Sequence, residues 1–117
     1  MELDDLVENI YGAINNSGAE ELGDYLAEDV QIIPLSRPAE IISGKKAALA
    51  SIGKMLSIAK GTKVTFISGP TTMGNVVTVE YTHDYVLNGD SIQDHNVSLF
   101  VILGGQVKQW IGYIHPK

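Results

Sequence analysis

Apolar side chains recur at Leu3, Leu6, Val7, Ile10, Ala13 and Ile14, the spacing of a helix with one buried stripe. This predicts a first helix over Leu3–Asn16. Ser17 and Glu20 then stand at capping-box spacing after an Asn-Asn break, which predicts a second helix over Ala19–Leu26 and a helical hairpin at the start of the chain. Val30–Ile33 is a short strand candidate that Pro34 ends. The segment from there to Ser43 contains Pro38 and has no helical period, so it reads as a loop near an opening. Ser43 is placed to cap a third helix over Lys45–Ala59, with Ala48, Leu49, Ile52, Leu56 and Ala59 on one face and Lys45, Lys46 and Lys54 elsewhere. This helix is the expected central packer.

Beyond it the apolar period changes from about 3.6 to 2. A strand over Lys63–Ser68 is followed by three long ones, Asn75–Leu87, Ile92–Leu103 and Gln106–His115, with turn signals at Asn88-Gly89 and Gly104-Gly105. The second half is therefore an antiparallel meander, and the fold class is α+β, with the helices covering one side of the sheet. Alternation places Val77, Val79, Tyr81, His83, Tyr85 and Leu87 on one strand face and Thr78, Glu80, Thr82 and Asp84 on the other. In the next strand Asn96 and Ser98 point the same way as Phe100, where they would line the mouth of a cavity.

At 117 residues the chain reads as one domain over 1–117, able to bury roughly two-thirds of its unfolded surface without disulfides or metals. There are no cysteines, which removes thiol nucleophiles and thiolate metal sites. Eight Lys and Arg against 14 Asp and Glu leave a net charge of -6, and no basic patch interleaves with the aromatics, so a nucleic-acid partner is not expected. The acidic start Met-Glu-Leu-Asp-Asp is unlike a signal peptide, and no apolar run is long enough to span a membrane. The expectation is a soluble cytoplasmic protein with no membrane partner.

The candidate chemistry centres on His83. An imidazole among phenols on an apolar face is either a proton-transfer group in a pocket or a core histidine bonded to a hydroxyl or carbonyl. Tyr81 and Tyr85 flank it, and Tyr11 sits at the edge of the first helix's apolar face, where it either packs or donates a hydrogen bond. Trp110 and Ile114 would form apolar wall. Gly112 between them leaves space for a cavity or marks a bulge or a close approach of the central helix. His95 beside Asp94 reads as surface, and Arg37 as a loop residue. A metal site joining His83, His95 and His115 has no supporting pattern, so no metal is expected. No nucleophile elbow, P-loop or dinucleotide fingerprint is present, and no cofactor is expected.

The phrases Leu22-Gly23-Asp24-Tyr25-Leu26-Ala27-Glu28-Asp29-Val30, Ser43-Gly44-Lys45-Lys46-Ala47 and Gly105-Gln106-Val107-Lys108-Gln109-Trp110, in this order, resemble the NTF2-like superfamily over nearly the whole chain. That group includes ketosteroid isomerases, limonene-epoxide hydrolases and SnoaL-type polyketide cyclases. The resemblance implies a cone-shaped α+β barrel around an apolar pocket, commonly a homodimer built on the sheet face. It places Tyr11 at the ketosteroid isomerase oxyanion tyrosine, Ser98 at the second oxyanion donor and Ile33 near the aspartate base. Tyr81, His83 and Gly112 fall where epoxide hydrolases carry their arginine and two aspartates. The expected function is binding of a small hydrophobic or amphipathic molecule, with cofactor-free isomerase, cyclase or hydrolase chemistry. In that reading His83 and Tyr11 are catalytic, and Tyr81, Tyr85, Asn96, Ser98, Trp110 and Ile114 bind substrate. The rival expectation is a non-catalytic binding or dimerisation module with a filled cone.

Overall fold

In the computed structural model, which describes residues 2–16, 18–34 and 40–112, the apolar stripe of the first helix is fully used. α1 spans Leu3–Asn15 and buries Leu6, Val7, Ile10, Tyr11, Ala13 and Ile14. Its C-terminal end is pinned by Asn15, whose side chain donates to the Val64 carbonyl (3.0 Å) and accepts from the Val64 amide (2.6 Å). An amide side chain thus completes a strand edge as a neighbouring strand would.

The expected second helix is a 3₁₀ helix over Ala19–Asp24, and Leu26 already belongs to β1, Leu26–Ile33. Gly23 and a six-residue length make a stable α-helix costly there, and Leu26, Val30 and Ile32 are fully buried as strand residues instead. Ser17 of the expected capping box lies outside the described residues. β2, Ile42–Ser43, pairs antiparallel with β1. The next helix, α2, runs Lys45–Ile58 as expected, but its N-cap is Gly44 (φ 93°) and no side chain caps it, so Ser43 serves as a strand residue.

Four strands complete the chain: β3 Lys60–Met73, β4 Val76–Leu87, β5 Asp90–Leu103 and β6 Gln106–Ile111. The sheet order is β2-β1-β6-β5-β4-β3, antiparallel throughout except for β1 beside β6. The meander is the one read from alternation. Leu87 pairs with Asp90 across Asn88 (φ 52°) and Gly89 (φ 86°), the two positive φ angles of a tight hairpin turn. β3 is longer than the sequence suggested because two of its three register shifts absorb Gly61 and the Gly69-Pro70 pair.

The sheet curls around α1, and Tyr11 shows how far. Its ring meets Phe66 of β3 (5.5 Å), Tyr81 of β4 (5.1 Å), Phe100 of β5 (5.9 Å) and Trp110 of β6 (5.9 Å). Four flat strands would span about 14 Å, beyond the reach of one phenol ring, so the sheet must be strongly concave. The central packer is therefore α1 and not the later helix. α2 buries only Ala48, Ile52 and Met55 within its length and covers the β1 side. Its buried face has three residues, whereas α1 buries six, among them leucine, isoleucine and an aromatic, on the concave side.

Candidate functional site

The inward row of β4 is Val77, Val79, Tyr81, His83 and Tyr85, each buried. Opposite it β5 presents Phe100, Ser98, Asn96, Asp94 and Ile92, because Tyr81 pairs with Asn96 and His83 with Asp94. Ser98 and Phe100 are buried, and Asn96 and Asp94 are half-buried. Two polar clusters result, one deep and one nearer the β4–β5 hairpin.

In the deep cluster Ser98 Oγ donates to the Gly112 carbonyl (2.8 Å), and the Tyr81 hydroxyl lies 2.9 Å from Ser98 Oγ and 3.3 Å from the same carbonyl. The Tyr11 hydroxyl is buried within reach of Ser98, Tyr81 and Trp110 without completing a well-aligned bond. Burial pushes the Tyr11 phenol well above its ordinary pKa, with Tyr81 adding to the rise, and burial also raises Tyr81. Both phenols are thus neutral donors. Trp110 closes the wall, its indole on Phe100 at 4.9 Å. Gly112 reaches this position by a positive φ of 84°, with its amide donating to the Ile33 carbonyl at 2.9 Å.

In the second cluster His83 is wholly excluded from solvent. Its Nε2 lies 3.2 Å from Thr62 Oγ1, while Thr62 donates to the Ala59 carbonyl (2.7 Å). Nδ1 is buried without a partner. The Tyr85 ring stacks on the imidazole at 4.5 Å, and its hydroxyl donates to Asp94 Oδ2 at 2.7 Å. Burial lowers the His83 pKa to about 4, against the opposing pull of the Asp94 and Asp84 carboxylates. The imidazole is neutral at physiological pH.

This architecture recurs in solved structures. An LEH-like epoxide hydrolase from M. tuberculosis is 18% identical with a TM-score of 0.80, covering 92% of this chain and 78% of its own. A hypothetical protein with a ketosteroid isomerase-like fold from Catenulispora acidiphila, in complex with trimethylamine, is 15% identical with a TM-score of 0.83, covering 93% and 84%. An NTF2-like protein of unknown function from Cytophaga hutchinsonii is 20% identical with a TM-score of 0.73, covering 96% and 88%. The chain has the NTF2-like fold. No protein-family model matches the sequence, and no curated protein matches it significantly. At these identities the likeness extends to the fold and not to an activity.

Within the NTF2-like frame the residues singled out from sequence separate into groups. Tyr11, Tyr81, Ser98 and Trp110 meet in the deep cluster. His83 and Tyr85 meet one pleat further along β4. Asn96 stands opposite Tyr81 at the boundary between them. Ile33, near the position of the ketosteroid isomerase base, contributes only its carbonyl, to Gly112. Ile114, Arg37 and His115 lie outside the described residues. His95 is on the outer face, paired with Glu80 at 2.5 Å. No group of three or more His, Asp or Glu able to hold a metal ion occurs among the described residues, nor any helix long and apolar enough to cross a membrane.

Three participants escaped the sequence reading. Asp94 shares the parity of Asn96 and Ser98, so alternation alone would have turned it inward. Thr62 is aimed at His83 by the bulge between Lys60 and Lys63, which no local pattern announces. The Gly112 carbonyl is a backbone acceptor that residue-type reasoning does not consider.

Proposed function

We propose that this NTF2-like protein binds a small hydrophobic or amphipathic molecule inside its cone and carries out cofactor-free acid/base chemistry there, of isomerase, cyclase or hydrolase type. The observation that carries this is His83: a neutral imidazole in a water-excluded row, with Nε2 held by Thr62 and Nδ1 buried and partnerless. Such a group is an acceptor for a substrate proton, and the neutral phenol Tyr11, whose buried hydroxyl completes no bond, is the donor for a developing oxyanion, with the Tyr81 and Ser98 hydroxyls beside it engaged at the Gly112 carbonyl. Asn96, Tyr85 and Trp110 complete the proposed binding surface. The protein acts in the cytoplasm as a single domain.

A thermal-shift screen of wild type and His83→Ala against terpenoid, steroid, polyketide-like and fatty-acid-like ligands tests this. A ligand at a hundred times its Kd stabilises the wild type by about 2.7 kcal/mol, and the shift is lost in His83→Ala. A second reading is a non-catalytic binding or dimerisation module, favoured by the near-complete burial of Tyr11, Tyr81, Phe100 and Trp110 at the cone's centre. Absence of a shift with every class supports that module.

The outer sheet face supports a homodimer in either reading. Ile67 and Val97 are more than half exposed, on strands flanking β4, where Glu80 pairs with Val97. Val97→Glu, set beside Glu80, places like charges in the proposed contact and converts the dimer to a monomer in gel filtration. A wild type that stays monomeric at high concentration removes the sheet-face contact.

A further inference from the structure

Thr62, at the bulge between Lys60 and Lys63, touches both the end of α2 and His83. Its single hydroxyl hydrogen is donated to the carbonyl of Ala59, 2.7 Å away, the wholly buried residue that caps the C-terminus of α2. Toward His83 Nε2, at 3.2 Å, the same oxygen is left only to accept, so Nε2 carries the N–H of the neutral ring. Nδ1 is then a lone pair, buried and without a donor.

The opposite tautomer leaves more unmet. A Thr62 hydroxyl turned to donate to Nε2 would withdraw its hydrogen from the Ala59 carbonyl and put the ring's own proton on Nδ1, an N–H with no acceptor. Two buried groups would then lack a bond instead of one, and each such group is destabilising. The branched threonine side chain also restricts χ1, so its oxygen keeps one direction. The two faces of the imidazole edge are thus unequal before any ligand arrives: Nε2 is occupied as a donor, and Nδ1 is the ring's one basic atom.

We propose that Thr62 is a positioning residue for His83: by donating to the end of α2 it offers the imidazole only an acceptor, and so makes Nδ1 the atom that takes a substrate proton. The proposal rests on the reading that His83 is the base of a small-molecule site. In the step it describes, the Nδ1 lone pair forms a new N–H bond to the proton, and the electron pair of the broken bond stays on the substrate atom that lost it. The ring becomes an imidazolium whose Nε2–H is still donated to Thr62. Burial opposes that charge, while the carboxylates of Asp94, the cross-strand partner of His83, and of Asp84 favour it. Thr62 never touches the reacting atoms; it acts through the ring.

Nitrogen-15 NMR of the histidine side chains reads the tautomer in the free protein and needs no ligand. The wild type should carry the His83 proton on Nε2 and show Nδ1 unprotonated. Thr62→Ser keeps the hydroxyl and should keep that spectrum. Thr62→Val keeps the shape and removes the oxygen, so the ratio of Nε2–H to Nδ1–H should fall about fivefold, the worth of one ordinary hydrogen bond, while His95 on the outer face is unchanged. If Thr62 served only to cap α2, Thr62→Val would lower the melting temperature without moving the ratio, and that result overturns the proposal. An Nδ1–H ring in the wild type overturns it without any variant, and so does a ratio in Thr62→Ser as low as in Thr62→Val. The wild-type and Thr62→Ser spectra decide the tautomer even where Thr62→Val does not fold. A His83-dependent ligand shift together with an Nδ1–H ring removes the role of Thr62 and keeps the binding reading. The expected tautomer in a protein that no ligand class stabilises reduces His83 and Thr62 to a core pair and removes both.

Discussion

Gly112→Ala is expected to destabilise the protein by about 3–5 kcal/mol, enough to unfold much of a marginally stable domain. Two costs combine. The backbone there has φ of 84°, a conformation that costs an L-residue about 1–2 kcal/mol. An added Cβ would also lie 2.3 Å from the Val97 carbonyl oxygen, a backbone atom that cannot step aside. Relief requires Gly112 to withdraw from β5, which strains the packing by about 1–3 kcal/mol and strips Ser98 and Tyr81 of the carbonyl that satisfies them. Gly105→Ala is the control. Its φ is 77° but nothing lies within 4 Å of the added carbon, so only the same backbone cost of about 1–2 kcal/mol applies. Urea unfolding followed by the fluorescence of the single tryptophan, Trp110, measures both variants. Equal losses would show that Gly112 matters only for its backbone angle.

Acidification from pH 7 to pH 4 should remove about 3 kcal/mol of stability through His83 alone. The unfolded imidazole binds its proton near pH 6.5, whereas the folded one resists until about 4. Between these values the unfolded chain holds more protons, so stability rises with pH across this window and is complete above it. Below about pH 4 the loss has run its course. His83→Leu is the matched variant, because Thr62 keeps its donation to Ala59 and no buried donor is orphaned. Its stability at pH 7 should stay close to wild type, and the difference between the two pH profiles should open between pH 6.5 and 4 with the wild type falling faster. Parallel profiles would mean that His83 titrates normally and that solvent reaches it.

The helical and strand elements were legible where one periodicity ran long enough. The stripe from Leu3 to Ile14 and the alternation from Val77 to Leu87 each repeat a buried position several times, and the structure buries them from Leu6 to Ile14 and from Val77 to Tyr85, with Leu3 and Leu87 half-buried at the ends. The short segments failed. Ala19–Leu26 has helical residue types, but eight residues with Gly23 among them cannot repay helix nucleation, and Leu26 gains more as a strand residue. β3 was read too short because Gly69 and Pro70 signal an end, and only pairing with β4 shows that bulges carry the strand past them.

The candidate site divides in the same way. Strand parity by itself put Tyr81, His83 and Tyr85 on one inward face and Ser98 with Phe100 on the facing strand. Those statements need only a period of two and a choice of which side is apolar. The composition likewise determined the absence of thiol chemistry and the acidic balance. What the tertiary structure decided is everything that depends on distance across the sheet: that α1 and not α2 fills the concavity, that Asp94 latches Tyr85, that Thr62 holds one nitrogen of His83 and leaves the other bare, and that a glycine carbonyl joins Ser98 to Tyr81. Parity says which face a side chain takes, but the curl of the sheet and its bulges set which faces meet, and those arise from the packing of the whole sheet against α1 and α2.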